Sequence, residues 1–308
     1  MCYAAQVSAA HANYLRMTGA QMDFEQFEEI FGLRNEDPAV RIARAVDRWF
    51  EDPGTAPERR IRKLIDQYRT AQVTKLETEV FAQKRRLADA ERKLAEKPTK
   101  AAAESQRIAT DKIEKAIKRL PLYKGWQPTK LDDRIFPLHY APIVINDNGS
   151  NVLRLARYHL RRPTDPPTID RKYPGLYNAR RDNLEKFWKG QFGAAHALML
   201  VESFFENVDR GGKNAVLHFT PQPASTMLIA CLYAQWTGPK GEKLLSFAAI
   251  TDEPPPEVAA AGHDRMIVSI KPENVERWLT PQGRSNEELQ AILGDKQEPF
   301  YEHEVMAA

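Results

Sequence analysis

The sequence predicts an α+β protein: a bent mixed or antiparallel β-sheet, or a barrel-like core, with short helices and an inserted α-helical hairpin. Three observations carry this. Residues 57–120 are charged throughout and repeat their apolar positions at three-, four- and seven-residue steps. From about Asp132 onward the apolar residues fall into short runs between Pro, Gly, Asn and Asp, the pattern of strands and turns. Charge divides the same way: residues 57–120 hold 18 Lys/Arg against 10 Asp/Glu, and the rest of the 308-residue chain is net acidic.

Taken in order, Cys2 to Ala10 is short, apolar and uncharged, which predicts a strand. Phe24, Phe27, Ile30 and Phe31, then Ile42, Val46, Trp49 and Phe50, recur at helical spacing. Pro53 and Pro57 break the chain. A long helix follows from about Glu58 to Glu96, with Leu76, Val80, Leu87, Ala90 and Leu94 forming a heptad-like seam. Lys97-Pro98 ends it, because proline disfavours helix in the residue before it. A second helix, about Lys100 to Leu120, carries Ile108, Ile113, Ile117 and Leu120 and completes an antiparallel hairpin. Strands are expected at Ile143–Ile145, Val152–Tyr158, Val216–Phe219, Met227–Trp236, Leu244–Thr251 and Met266–Ile270, with short helices at Asn183–Gly190 and Asn274–Leu279. The expected organisation is therefore 1–20 as the first strand of the core, 21–130 as a basic helical insertion with its hairpin at about 57–120, and 131–308 as the remainder of the core.

Several classes are excluded. No run of about 18 apolar residues exists, so no membrane-spanning helix is expected. The start of the chain lacks a basic stretch followed by an apolar one, so no secretory leader is expected. Cys2 and Cys231 are the two cysteines, too few for a disulfide framework or a four-ligand zinc site. No glycine-rich phosphate loop, dinucleotide fingerprint or paired-histidine metal motif occurs, so neither cofactor nor metal is expected.

Cys2 carries the most chemistry. Loss of Met1 would make it the terminal residue, with an α-amine of pKa about 7.7–8.0 and a thiol of about 8.5 on one carbon skeleton. Such a pair attacks an aldehyde in sequence, amine to imine and then sulfur to a five-membered thiazolidine. Taken alone, Cys2 also reads as a small strand residue.

Other motifs stand beside it. Gly175-Leu176-Tyr177-Asn178-Ala179-Arg180 precedes an amphipathic stretch, Glu202-Ser203-Phe204-Phe205-Glu206-Asn207 sets a carboxylate beside two aromatics, and Gly262-His263-Asp264-Arg265-Met266 precedes an apolar strand. Phe136 to Pro142, Met227 to Tyr233, Phe247 to Thr251 and Pro272 to Leu279 follow in compatible order. With Met1-Cys2 these resemble the SOS response-associated peptidase (SRAP) family, which shields abasic sites in single-stranded DNA by cross-linking to them. The resemblance covers the start of the chain and about Asp132 to Leu279.

The resemblance implies roles. Cys2 would be the nucleophile after Met1 removal, Asn178 would position the opened sugar, Glu206 would act as general acid on the sugar and general base in Met1 removal, and His263 would shuttle protons. Arg180 and Arg265 would hold phosphates, Tyr158 would stack an exposed base, and Thr251 would add a polar contact. Singly, each has a plainer reading: a strand-end carboxylate, a turn histidine, a turn asparagine, solvated arginines. The chain departs from the family at Tyr3 and Ala4, where Gly-Arg is usual, at Tyr158-His159, where Trp-Gly is usual, at Asp182, where Glu is usual, and at Ile267, where proline is usual.

The expected function is an abasic-site sensor that forms a thiazolidine cross-link with single-stranded DNA and removes its own Met1. Two rivals stand beside it: a cysteine or N-terminal-nucleophile peptidase or amidase built on Cys2, His263 and Glu206, and a helical adaptor with an inactive core. The basic insertion would contact DNA, or recruit a protein partner or second copy through its seam. The expected compartment is the cytoplasm, on the nucleoid when bound to DNA, with no membrane partner.

Overall fold

The computed structural model describes residues 4–7, 11–125 and 134–306. These form two compact units: residues up to 49 together with those from 130, and residues 50–129. Residues 21–49, expected to open the insertion, therefore group with the core.

The first unit is built on strands β1 (Ala4–Val7), β2 (Gln21–Met22), β3 (Arg134–Ile135), β4 (Tyr140–Asp147), β5 (Ser150–Tyr158), β6 (Asn178–Arg180), β7 (His196–Asp209), β8 (Asn214–Gln222), β9 (Met227–Thr237), β10 (Lys243–Asp252), β11 (Met266–Ile267) and β12 (Phe300–Val305). Five of them close into a barrel, in the order β10-β5-β4-β7-β9 and back to β10. The β10–β5 pairing is parallel and the other four are antiparallel. Closure removes the exposed edges that an open sheet would leave. The barrel wall is apolar and buried on both faces, with Ile143, Leu155, Leu198, Leu200, Ile229 and Phe247 all fully enclosed. The protein is α+β, as the sequence predicts.

Strand β7 is 14 residues long and does two jobs. Its first half, His196 to Val201, forms barrel wall against β4 and β9. Its second half pairs with β1 on one side and β8 on the other, and β12 then adds to β8. The sequence did not announce this strand, because both faces are buried almost throughout and no period-two alternation survives.

Helices α1 (His11–Thr18), α2 (Phe24–Glu36) and α3 (Arg44–Arg48) precede the barrel strands. Helix α2 buries Phe27, Ile30 and Phe31 on one face. Its Gln26 amide donates to the Leu155 carbonyl at 2.7 Å and accepts from the Leu155 N–H at 2.9 Å, so a side chain completes the ladder of β5. This tie, with the β2–β5 pairing, is why residues 21–49 belong to the barrel unit.

The second unit is an antiparallel hairpin of α4 (Ala56–Glu96) and α5 (Lys100–Lys124). Thr55 and Glu58 form a reciprocal cap at the start of α4, and Thr99 caps α5. Helix α5 runs one turn beyond the expected end. Pro121 lacks an N–H, but its carbonyl still accepts from Gly125 N–H at 3.2 Å.

Of the remaining expectations, Asn183–Gly190 is not a helix but a 3₁₀ turn at Arg181–Asn183 followed by further turns, with Leu184 and Trp188 as buried anchors. The expected strand Met266–Ile270 shortens to β11, continued by an isolated bridge from Ser269 to Ile229. Helices α6 (Ile169–Lys172), α7 (Pro256–Ala260), α8 (Val275–Leu279) and α9 (Asn286–Gly294) complete the first unit. Among the described residues, no helix is long and apolar enough to cross a membrane.

Candidate functional site

Most of the sequence-predicted residues gather where β6, the C-terminal end of β10, and β11 meet the second half of β7. Strand β6 runs parallel to β10, with Asn178 opposite Ala249 and Arg180 opposite Thr251. Thr251 lies opposite Ile267 on its other side, which fixes the approach of the segment carrying His263 and Arg265.

That segment follows α7 through a tight turn. The His263 N–H donates to the Val258 carbonyl at 3.3 Å, and Gly262 sits at φ +99°. This backbone conformation excludes most L-residues, so glycine is needed there. The turn brings the His263 ring to Glu206, with Nε2 3.0 Å from Oε2. The other ring nitrogen, Nδ1, lies 2.7 Å from the Arg265 carbonyl and 3.3 Å from the Arg265 N–H, so the backbone of Arg265 holds that edge of the ring. The imidazole is thereby held in one orientation, with Nε2 facing the carboxyl group.

Glu206 is fully buried. Although the 3.0 Å separation from His263 is short, neither carboxyl oxygen makes a well-aligned hydrogen bond among the described residues. The Phe204 side of this strand is packed by Phe219 at 5.0 Å and the Phe205 side by His218 at 4.4 Å, so the backbone that carries Glu206 is locked on both faces.

Asn178 is buried, and its Oδ1 accepts from the Tyr158 hydroxyl at 3.3 Å. This orients the amide, setting its NH₂ as the donor end. Tyr158 is itself fully enclosed, stacked on Phe247 at 5.0 Å and edge-on to Tyr177 at 5.5 Å. The expected role of Tyr158 as a base-stacking platform does not fit this arrangement, because neither ring face is open. Its hydroxyl instead aligns Asn178. Thr251 is likewise enclosed, its hydroxyl buried without a hydrogen-bond partner among the described residues, so it presents nothing to a phosphate in this arrangement.

Arg180 is exposed and holds Asp182 through two hydrogen bonds, 3.0 and 2.7 Å. Arg180 and the neighbouring Arg265 keep the Asp182 carboxyl below the usual range, and Asp264 lies close enough to raise Arg180. The two arginines thus share one acidic neighbourhood at the rim. Asp182 and Asp264 had no role assigned from the sequence. The signal was the Asp182 departure itself, since a short acid two residues after Arg180 reaches its guanidinium.

Cys2 lies outside the described residues. The nearest described residue is Ala4, paired with Phe205, the neighbour of Glu206. Strand β1 therefore begins at the register of the buried acid. Cys231, the other thiol, is buried in the barrel wall, and burial pushes its pKa far up. No cluster of three His, Cys, Asp or Glu side chains suited to a metal ion occurs among the described residues.

Comparison with known proteins places this geometry in context. A family described as SOS response associated peptidase (SRAP) matches over residues 101–308. The abasic site processing protein YoqW of Bacillus subtilis (strain 168) is 27% identical over 155 residues, covering 49% of this chain and 67% of that protein. The abasic site processing protein YobE of the same organism is 27% identical over 155 residues, covering 49% and 68%. Among solved structures, a protein from Bacteroides thetaiotaomicron aligns with TM-score 0.49 and 16% identity, covering 57% of this chain and 78% of that one. A protein from Bordetella bronchiseptica aligns with TM-score 0.48 and 17% identity, covering 59% and 90%.

Proposed function

The chain belongs to the SRAP family, and from that membership we propose that it processes abasic sites in DNA by capturing the opened sugar on Cys2. The observation that carries this reading is the buried Glu206–His263 pair at the register where β1 begins. An acid and a proton carrier are held there against the strand that leads back to Cys2. The similarity to two proteins named for abasic site processing supports the same reading.

The chemistry follows from the residues. Hydrolysis of the Met1–Cys2 bond consumes one water and frees the α-amine, with Glu206 as the base that activates the water. Glu206 then donates a proton to the ring oxygen of the abasic sugar as the bond from that oxygen to the anomeric carbon breaks, and the anomeric hydroxyl gives its proton to His263, leaving the aldehyde. The amine adds to the aldehyde carbon, and water leaves as the imine forms. His263 carries protons between nitrogen and the departing oxygen through Nε2. The thiol sulfur adds to the imine carbon and its proton passes to nitrogen, closing the thiazolidine. Asn178, held by Tyr158, donates to the sugar hydroxyl. Arg180 and Arg265 hold flanking phosphates of the single strand.

The test is incubation with a single-stranded oligonucleotide bearing one abasic site, followed by a denaturing gel and intact mass. The expected result is a heat-stable adduct whose mass equals that of Met1-less protein plus DNA minus one water, with none from Cys2→Ala. Glu206→Gln is expected to slow adduct formation by about a hundredfold or more, the low end of a general acid's contribution. An equal yield from Cys2→Ala, or repeated release of a cleaved peptide with no adduct, rejects the proposal; the second outcome identifies a peptidase instead.

A further inference from the structure

We propose that the outer half of the α4–α5 hairpin is a contact surface for single-stranded nucleic acid that does not require a lesion. The proposal goes beyond lesion capture and rests on the hairpin alone.

Part of the hairpin's positive charge is neutralised locally. Arg62, Arg92, Arg107, Lys112 and Lys115 are matched to Asp66, Asp89, Glu104, Glu79 and Asp111. Arg69 turns inward and bonds the Tyr123 carbonyl at 3.1 Å. Towards the tip, Lys84, Arg85, Lys93, Lys97 and Lys100 are exposed and have no ion-pair partner among the described residues. These five cations thus lie close together in the chain on either side of the junction of the two helices, and Lys63, Lys75, Lys118 and Arg119 are further exposed cations along the helices.

The same region holds a groove of about 720 Å³ between α4 and α5. Arg85, Arg86 and Lys93 line it on the α4 side, with Thr99 and Ser105 hydroxyls on the α5 side. Arg86 Nε donates to Ser105 Oγ at 2.9 Å, which fixes its guanidinium across the groove. The remaining walls are alanines and Asp89, whose charge Arg92 already meets at 3.2 Å. Cations and hydroxyls on small-residue walls suit phosphate oxygens. They do not suit a protein interface, whose core is built on large apolar or aromatic anchors seated in pockets.

Phe81 adds the second half of the argument. It is 69% exposed on an otherwise charged helix. It lies three and four residues before Lys84 and Arg85, hence on the same face. An exposed aromatic beside unpaired cations matches a single strand, whose unstacked bases offer flat faces while its phosphates meet the charges.

The experiment uses the full chain and a fluorescent, unmodified single-stranded oligonucleotide, with anisotropy measured across a KCl series. The combined variant Lys84→Glu, Arg85→Glu, Lys93→Glu is expected to bind at least about tenfold more weakly. Its plot of log affinity against log salt should be shallower by about 2, given a slope near −0.7 per single-strand phosphate contact. Phe81→Ala is expected to weaken binding about fivefold or more without changing that slope, the mark of stacking rather than charge. Far-UV circular dichroism shows whether the helices persist, and the corresponding glutamine variant repeats the test with a gentler change. The proposal is overturned if the wild type does not bind, or if the folded variants bind with unchanged affinity and slope. Adduct formation on a short abasic oligonucleotide is measured in parallel and should be unchanged in the hairpin variants. Its absence in the wild type would sink lesion capture while leaving the hairpin result standing.

Discussion

His196 shows how tightly single residues are set in the barrel. Its ring lies 3.8 Å from Trp278 and 5.7 Å from Phe192 and is almost completely buried. Nδ1 donates to the Trp278 carbonyl at 3.0 Å, and Nε2 accepts from the Gly193 N–H at 2.9 Å. Both nitrogens are used by the neutral form, and burial lowers the pKa to about 3. The unfolded chain takes up a proton near pH 6.5 and the folded one does not. Stability is thus fully present above about pH 6.5 and falls as pH drops towards 3, by at most about 1.4 kcal/mol per unit from this residue. His139, lowered to about 4 by burial and by Arg41, adds to the upper part of the same window. Thermal melts from pH 7.5 to 4 should show this decline, and His196→Gln should flatten it; an unaltered slope would show that His196 is not the titrating group. None of this was legible in the sequence, where His196 is one histidine beside an apolar run. Glu206 and His263 were legible as a pair of candidates only because their motifs occur in family order. The 3.0 Å contact between them depends on Gly262 and on the β7 register, which no local pattern encodes.

In the hairpin, sequence gave the period correctly but not the seam. The seven-residue step holds: Leu76, Gln83 and Ala90 are buried on α4, and Ala102, Ala109 and Ala116 on α5. The isoleucines expected to form the α5 face lie beside the seam instead, and Ile117 is 51% exposed. Alanine lets two helix backbones approach closely, so the smallest apolar residues take the contact line and larger ones flank it. Gln83 stands out within that line. Its Nε2 donates to Glu79 at 3.2 Å, but its buried Oε1 has no partner among the described residues. Gln83→Leu removes an unpaired polar atom and adds apolar contact, which should stabilise the hairpin by about 1–2 kcal/mol. Urea unfolding followed at 222 nm tests this; a midpoint lower than wild type would show that the carbonyl is satisfied in solution. Strand β7 is the opposite case. Its type was hidden because a strand buried on both faces reads as a plain apolar run.

The chain as a whole carries two separate cores. One is the closed barrel, with its buried branched and aromatic side chains, and the other is the alanine-rich seam of α4 and α5. Four of the five tryptophans, Trp49, Trp188, Trp236 and Trp278, belong to the barrel unit, whereas Trp126 falls in the 50–129 range with the two longest helices. In a Trp126→Phe variant, tryptophan fluorescence reports on the barrel core while the signal at 222 nm is dominated by the hairpin. In a denaturant titration their midpoints should differ, because two cores of unlike composition lose stability at different rates. Coincident transitions would show one cooperative molecule. The sequence marked the change in composition that separates the units, but not that residues 21–49 side with the barrel, since Gln26 and β2 reach partners more than a hundred residues away.

Strand β1 has a further consequence, one of timing. Ala5 pairs with Ile135 on one side and Phe204 on the other, so the first strand waits for its second partner, made roughly two hundred residues after it. At about 5–20 residues per second, ribosomes need on the order of ten seconds or more to supply it. Until then no Glu206 exists to meet the strand. Whatever Glu206 does there begins only after most of the chain has been made.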